Sequence, residues 1–229
     1  MSSSALANEI GRGVLSRMTA SVYRLLVLAA FLVLMCGPTL VVWTLLGDPV
    51  SNAAFFVIAL LPVGPALSGA VYALRAWAAS PDLSPSRALW RGYRLNFLDT
   101  MKWWAVVVAV ALVLIVNIVF ANAVPFGAAF RPAGIIVLGL LGVWAGHLLI
   151  VASLFSFRTR DSMRIAAVEL FAQWKVSLGL LSLLVVAVAT VHLGTELALL
   201  VLAWAFIGIL WLIAQPLIAD VTRRFIKND

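Results

Sequence analysis

The chain offers little to the commonest protein chemistries: one cysteine, two histidines and nine acidic residues in 229 positions. A single cysteine excludes a disulfide framework. Charged residues make up 11% of the chain, against about 25% in an ordinary soluble domain, too few to coat a globule of this length. Polar low-complexity tracts are missing as well, which excludes a disordered tail. There is no Gly-x-x-x-x-Gly-Lys-Ser/Thr phosphate loop, and no Ser–His–Asp, Cys–His or paired-carboxylate constellation can be assembled. The chain therefore reads as non-enzymatic and without a cofactor.

What is abundant is apolar sequence, 64% of the residues. Crossing about 30 Å of hydrocarbon takes about 20 apolar residues in a helix. Six runs qualify, at about 22–46, 53–77, 103–120, 133–155, 176–191 and 197–219. They are continuous rather than alternating, so helices are expected and not barrel strands. The expected fold is an all-α membrane protein, a six-helix transmembrane bundle forming a single domain over residues 1–229.

The net charge of +7 invites a nucleic-acid reading, but its distribution excludes one. Every basic residue except Arg131 lies before or at the start of span 1, in or beside the loop between spans 2 and 3, in or beside the loop between spans 4 and 5, or in the tail. By the positive-inside rule both termini then face the cytoplasm of a bacterial inner membrane. The outer loops are short and leave no room for an outer domain.

The cytoplasmic connections have patterns of their own. After Ser84 and Pro85, an N-cap and first-turn pair, Leu89, Tyr93, Phe97 and Met101 recur every four residues, while Arg87, Arg91 and Arg94 fill another face. This predicts an amphipathic elbow over about 84–101 that lies on the membrane surface and then turns into span 3. Similar elbows are expected at about 5–20 and at 161–174, the latter capped by Asp161 or Ser162. Leu89-Trp90-Arg91-Gly92-Tyr93-Arg94 aligns with Leu170-Phe171-Ala172-Gln173-Trp174-Lys175. The protein is then either three elbow-plus-hairpin units or a chain in which belt and charge rules alone generate such triplets. Trp90, Arg91, Tyr93, Arg94, Trp174 and Lys175 form the candidate surface for a partner chain or for anionic lipid.

The segment Leu61-Pro62-Val63-Gly64-Pro65-Ala66-Leu67-Ser68-Gly69-Ala70-Val71-Tyr72-Ala73-Leu74-Arg75 resembles the second-span signature of the YesL-like family of bacterial membrane proteins. The stretch containing Trp90, Tyr93, Arg94, Asn96 and Phe97 is similar to that family's aromatic–basic lead into the next span. Length and span count agree over essentially the whole chain. Members are uncharacterised as a group and are often encoded beside binding-protein-dependent carbohydrate ABC importers. The resemblance thus implies an accessory membrane subunit whose partners are the importer's permease and ATPase chains. The chain does not resemble the permease itself, since Ala166-Ala167-Val168-Glu169 carries only scattered letters of a coupling helix.

A charge at the bilayer centre costs about 2.5–3.5 kcal/mol on insertion scales, and none is expected there in this chain. The polar groups within spans include Asn117 and His147, about 21 Å and 12 Å from the cytoplasmic ends of their helices at 1.5 Å per residue. They are expected to pair across the hairpin, or, if the chain is a small independent transporter or channel, to line a path with Pro65. A membrane sensor or assembly factor is a third reading. Pro62 and Pro65, with Gly64, mark a kink in span 2 or a pore lining. His192 and Glu196 are four apart, but two ligands do not make a metal site, and none is expected.

Overall fold

In the computed structural model the described residues are 14–48, 50–80, 84–123, 125–193 and 196–225. Among them there are helices and no strands: α1 (Val14–Leu46), α2 (Ala53–Ile58), α3 (Val63–Ala79), α4 (Pro85–Val119), a 3₁₀ turn (Ala121–Ala123), α5 (Gly127–Leu154), α6 (Thr159–Ala172), α7 (Trp174–Leu193) and α8 (Glu196–Phe225). Six stretches are long and apolar enough to cross a membrane: Met18–Leu46, Ala53–Ala79, Pro85–Val119, Ala129–Leu154, Trp174–Leu193 and Glu196–Arg224. The molecule is an all-α membrane bundle. Most of the elbow expected at 5–20 lies outside the described residues.

Three contacts show which helix ends lie together. Ser21, Arg24 and Leu25 at the start of α1 line a groove with Leu74, Trp77 and Ala78 at the end of α3. Arg75 of α3 bonds the last residue of α5, and Glu169 of α6 meets Arg224 near the end of α8. The basic connections are thus gathered at one end of the bundle, here called the basic end. At the other end α1 turns back through Gly47, whose φ of 68° favours glycine. Asp48 closes that turn. Its carboxylate accepts from the Ser51 hydroxyl and from the Val50 and Ser51 amides, which hold its pKa below the usual carboxylate range.

Span 2 is broken, not merely kinked. Between α2 and α3 the backbone tightens to three-residue turns, with Leu60 N bonding Val57 O and Val63 N bonding Leu60 O. Pro62 takes the N-cap position of α3 and Pro65 its first turn, where neither N–H is missed. The change of pitch strands carbonyls that hydrocarbon cannot solvate, and neighbouring side chains take them up. Phe56 O, whose helical donor Leu60 N is engaged elsewhere, accepts from Trp43 Nε1 at 2.9 Å. Ala59 O, whose helical donor Val63 N is likewise engaged elsewhere, accepts from Thr39 Oγ1 at 2.7 Å. Leu60 O, already bonded by Val63 N, takes Trp104 Nε1 as a second donor at 2.9 Å. Two donors come from α1 and one from α4, so the break is clamped from both sides. The isosteric change Thr39→Val removes one donor and leaves Ala59 O unsatisfied. It is expected to cost about 1–2 kcal/mol, read as a lowered melting midpoint of the purified protein in detergent.

The elbow at 84–101 departs from expectation. It does not turn at the membrane surface but runs straight into span 3 as α4, 35 residues and about 52 Å long at 1.5 Å per residue. After Pro85 no proline interrupts it. Its buried stripe of Ala88, Gly92, Thr100, Trp103 and Val107 keeps helical spacing through the boundary, so packing against α3 rewards continuity. Ser84 and Pro85 stand at N-cap and N1 as expected, although the Ser84 hydroxyl faces Ser86 Oγ (3.4 Å) rather than the helix N–H groups.

The third elbow is built differently. It is a separate helix, α6, starting at Thr159, before the expected caps, and ending at a break on Gln173 (φ −107°, ψ 52°). Asp161 falls in its first turn, where a carboxylate favours the helix dipole. The second and third elbows therefore share residue pattern without sharing geometry, which favours interface chemistry over a three-unit duplication.

Candidate functional site

The tightest seam joins α3 to α4, and glycines make it. A Cβ on Gly64 would overlap the Trp104 indole, and one on Gly92 would lie 2.6 Å from Tyr72 Cδ1. One on Gly69 would come within 3.1 Å of the Tyr93 backbone nitrogen. Gly64 and Pro65, singled out in the sequence as kink or pore residues, are both buried. Their observed role is close helix approach and the start of α3.

At the basic end of this seam sits a buried polar knot. Ser153 Oγ of α5 donates to Ser68 Oγ of α3 at 2.7 Å. Asn96 Nδ2 of α4 donates to Ser68 Oγ and to the Ser153 carbonyl, both at 3.2 Å. Three helices thus share one hydrogen-bonded network. Beside it, Arg75 Nη1 donates to Leu154 O at 2.6 Å, and its guanidinium lies 5.2 Å from the centroid of the Phe155 ring. A cation on the last carbonyl of α5 satisfies an orphan acceptor and complements the helix dipole.

His147 and Asn117 do not pair. Asn117 is exposed on α4 and donates to Val113 O one turn back, at 2.7 Å. His147 is fully buried on α5, with Nε2 2.9 Å from Ser177 Oγ on α7. Ser177 in turn donates to Leu170 O of α6 at 2.6 Å. The hydroxyl has one proton and spends it on Leu170, so the imidazole carries its proton on Nε2. The bond expected across the α4–α5 hairpin is made instead between α5 and the α6–α7 elbow, because α5 turns this face toward α7. Pro65 and His147 are buried, whereas Asn117 is exposed.

A second charged cluster ties α6 to α8. Glu169 is buried to 1% exposure, and Oε2 has no hydrogen-bond partner among the described residues. Arg224 Nη1 stands 4.0 Å from Glu169 Oε1, and Arg224 Nη2 stands 2.8 Å from Asp220 Oδ2. The latter is an ion pair rather than an aligned hydrogen bond. Burial, and then the neighbouring Asp220 charge, push the Glu169 pKa up against the opposing pull of Arg224. No group of three or more His, Cys, Asp or Glu with metal-binding geometry occurs among the described residues.

The sequence-predicted surface residues lie on two helices. Trp90 is 51% exposed on α4, with Arg91 and Arg94 exposed beside it. Tyr93 is not free surface. It is half-buried, stacked on Trp90 at 5.8 Å, edge-on to Phe31 of α1 at 6.0 Å and tilted against Phe97 at 5.3 Å. Trp174 and Lys175 open α7, with Lys175 Nζ 5.7 Å from the centroid of the Trp174 ring. The two sets are separated by α5, which packs against both α4 and α7. The knot residues Ser68, Asn96 and Ser153 and the clamp donors Thr39, Trp43 and Trp104 were not foreseen as a site. Their only signal was a hydroxyl, amide or indole inside or beside an apolar run.

Residues 25–118 match a family of proteins of unknown function, DUF624. YesL-like proteins belong to that family. The DUF624 segment runs from the first apolar turns of α1 to the last turn of α4. It holds the broken span, its three clamps, the glycine seam, Arg75 and the Trp90–Arg94 surface. His147, Ser153, Glu169 and Trp174 lie beyond it. No curated protein and no solved structure matches the chain.

Proposed function

We propose that this protein is a non-enzymatic accessory or scaffold subunit of a bacterial inner-membrane carbohydrate ABC importer. Its basic end faces the cytoplasm and docks the permease or ATPase chains. The observation that carries the docking surface is the ladder of Trp90, Arg91 and Arg94, displayed on a helix held rigid by the glycine seam and the Ser68–Asn96–Ser153 knot. Exposed Trp and Arg are the residue types that dominate binding energy at protein interfaces, and a stiff mount lowers the ordering cost of docking. The importer itself is inferred from the YesL-like resemblance alone, since the matched DUF624 family is of unknown function. The orientation follows from the one-sided basic residues.

The test is co-purification of the tagged full-length chain from native membranes. Importer permease and ATPase chains are expected with the wild type. The combined Trp90→Ala, Arg91→Ala and Arg94→Ala variant should retain them at least about tenfold less, with unchanged abundance and melting midpoint, as for loss of a small hot spot. Recovery without importer chains, or solute flux through liposomes holding this chain alone, would overturn the reading in favour of an independent transporter.

A further inference from the structure

We propose that α6 is an in-plane anchor that seats its outer face in the headgroup layer of the bilayer and selects anionic phospholipid there. This inference does not rest on the importer reading. It starts from depth. α7 has 20 residues, about 30 Å at 1.5 Å per residue, which is the thickness of the hydrocarbon with nothing to spare. Its first residue, Trp174, therefore lies at the hydrocarbon boundary, and α6, which ends at Ala172, lies at headgroup level.

The faces of α6 agree with that depth. Ser162, Ala166 and Glu169, at i, i+4 and i+7, are buried against the bundle. The opposite face presents Arg160 and Arg164, then Val168 at 60% and Phe171 at 81% exposure. Phe171 begins a stripe that continues through Trp174, Leu178, Leu181 and Val185 at spacings of three and four, every member exposed from the protein. On α7 this stripe faces hydrocarbon, since α7 is a membrane span. At Gln173 the helical ladder is interrupted, with Gln173 N closing α6 on Glu169 O and Ser177 N opening α7 on Gln173 O. α6 therefore leaves the α7 axis, while Phe171 and Trp174, three apart, remain exposed on either side of the break. An isolated aromatic ring this exposed belongs at the acyl boundary, with the arginines reaching phosphate above it.

Charge selects the lipid. Around this face Arg158, Arg160, Arg164 and Lys175 are exposed, with Asp161 as the exposed acid and Glu169 turned inward. A cationic rim over an apolar tip matches an anionic phospholipid, phosphate above and acyl chain below.

The experiment uses the purified full-length chain in nanodiscs, so other proteins are absent. In a Cys36→Ser background, Phe171→Cys is labelled with an environment-sensitive fluorophore. The label should be quenched by phospholipid spin-labelled near the top of its acyl chain and shielded from aqueous iodide. Spin-labelled phosphatidylglycerol should associate in preference to phosphatidylcholine, and the combined Arg160→Gln and Arg164→Gln variant should lose roughly fivefold or more of that preference. Both arginines are exposed, so an unchanged melting midpoint confirms that the fold is kept. A label open to iodide and untouched by lipid quenchers overturns the proposal. So does equal association of the two lipids.

Discussion

Replacing Gly92 with valine should destabilise the protein by about 3 kcal/mol, at the upper end of overpacking costs. This corresponds to roughly 6–12 °C in the melting midpoint of a chain this size. A Cβ at position 92 would lie 2.6 Å from Tyr72 Cδ1 and 2.8 Å from Tyr72 Cβ. The near end of a side chain cannot swing aside, so α3 and α4 must separate. Separation stretches the Asn96–Ser68 bond and draws Trp104 from Leu60 O, so the loss spreads beyond one contact. The double change Gly92→Val with Tyr72→Ala should recover only part of the midpoint, because it removes the ring but leaves the residue 72 Cβ 2.8 Å from the new one. Gly139 has no atom within 4 Å of a built Cβ, and Gly139→Ala should instead gain about 0.5–1 kcal/mol from helix propensity. Equal effects at positions 92 and 139 would show that the seam is not close-packed.

The second large effect concerns Glu169, and its two variants should move stability in opposite directions. Arg224→Ala leaves Glu169 and Asp220 facing each other with the compensating charge removed. The expected loss is about 1–3 kcal/mol at neutral pH, below the 3–5 of a fully buried pair because Arg224 is half exposed and partly screened. Glu169→Gln removes a buried charge whose Oε2 has no hydrogen bond and should gain about 1 kcal/mol.

The pH dependence follows from the same group. A folded pKa raised above the ordinary value of 4.5 means that the folded state holds the proton longer than the unfolded state does. This contribution to stability is greatest below the ordinary value and is lost as pH rises through the raised one. Glu169→Gln should flatten that part of the curve, and Arg224→Ala should extend it to higher pH. Melting midpoints measured across the acidic to neutral range decide. A Glu169→Gln variant that melts lower at every pH would mean that the carboxylate is a net stabiliser.

The span count and the sorting of charge were legible because they are properties of the chain read in order. An apolar run long enough to cross hydrocarbon needs no knowledge of its neighbours, and basic residues collect in connections whatever the packing. Pro62 and Pro65 likewise marked the irregular span, since a missing N–H is a local fact. Three features were not legible, and each depended on a distant partner. Ser68 finds Ser153 across 85 positions, His147 finds Ser177 rather than Asn117, and Glu169 meets Arg224 from another helix. The elbow before span 3 misled for a related reason. Its amphipathic pattern is real, but burial of Ala88, Gly92 and Thr100 against α3 keeps it in line with the span.

One cysteine, two histidines and few charges are enough to determine a helical membrane protein of six apolar crossings with a basic end. Hydrocarbon admits little else from such a composition. Which helices touch, which carbonyl of the broken span receives which indole, and which arginines stay exposed while Arg75 bonds Leu154 O were decided only by tertiary structure. Apolar sequence specifies burial without direction, and only the packed glycine seam and the few hydrogen bonds that hydrocarbon leaves unsatisfied otherwise select one arrangement among many.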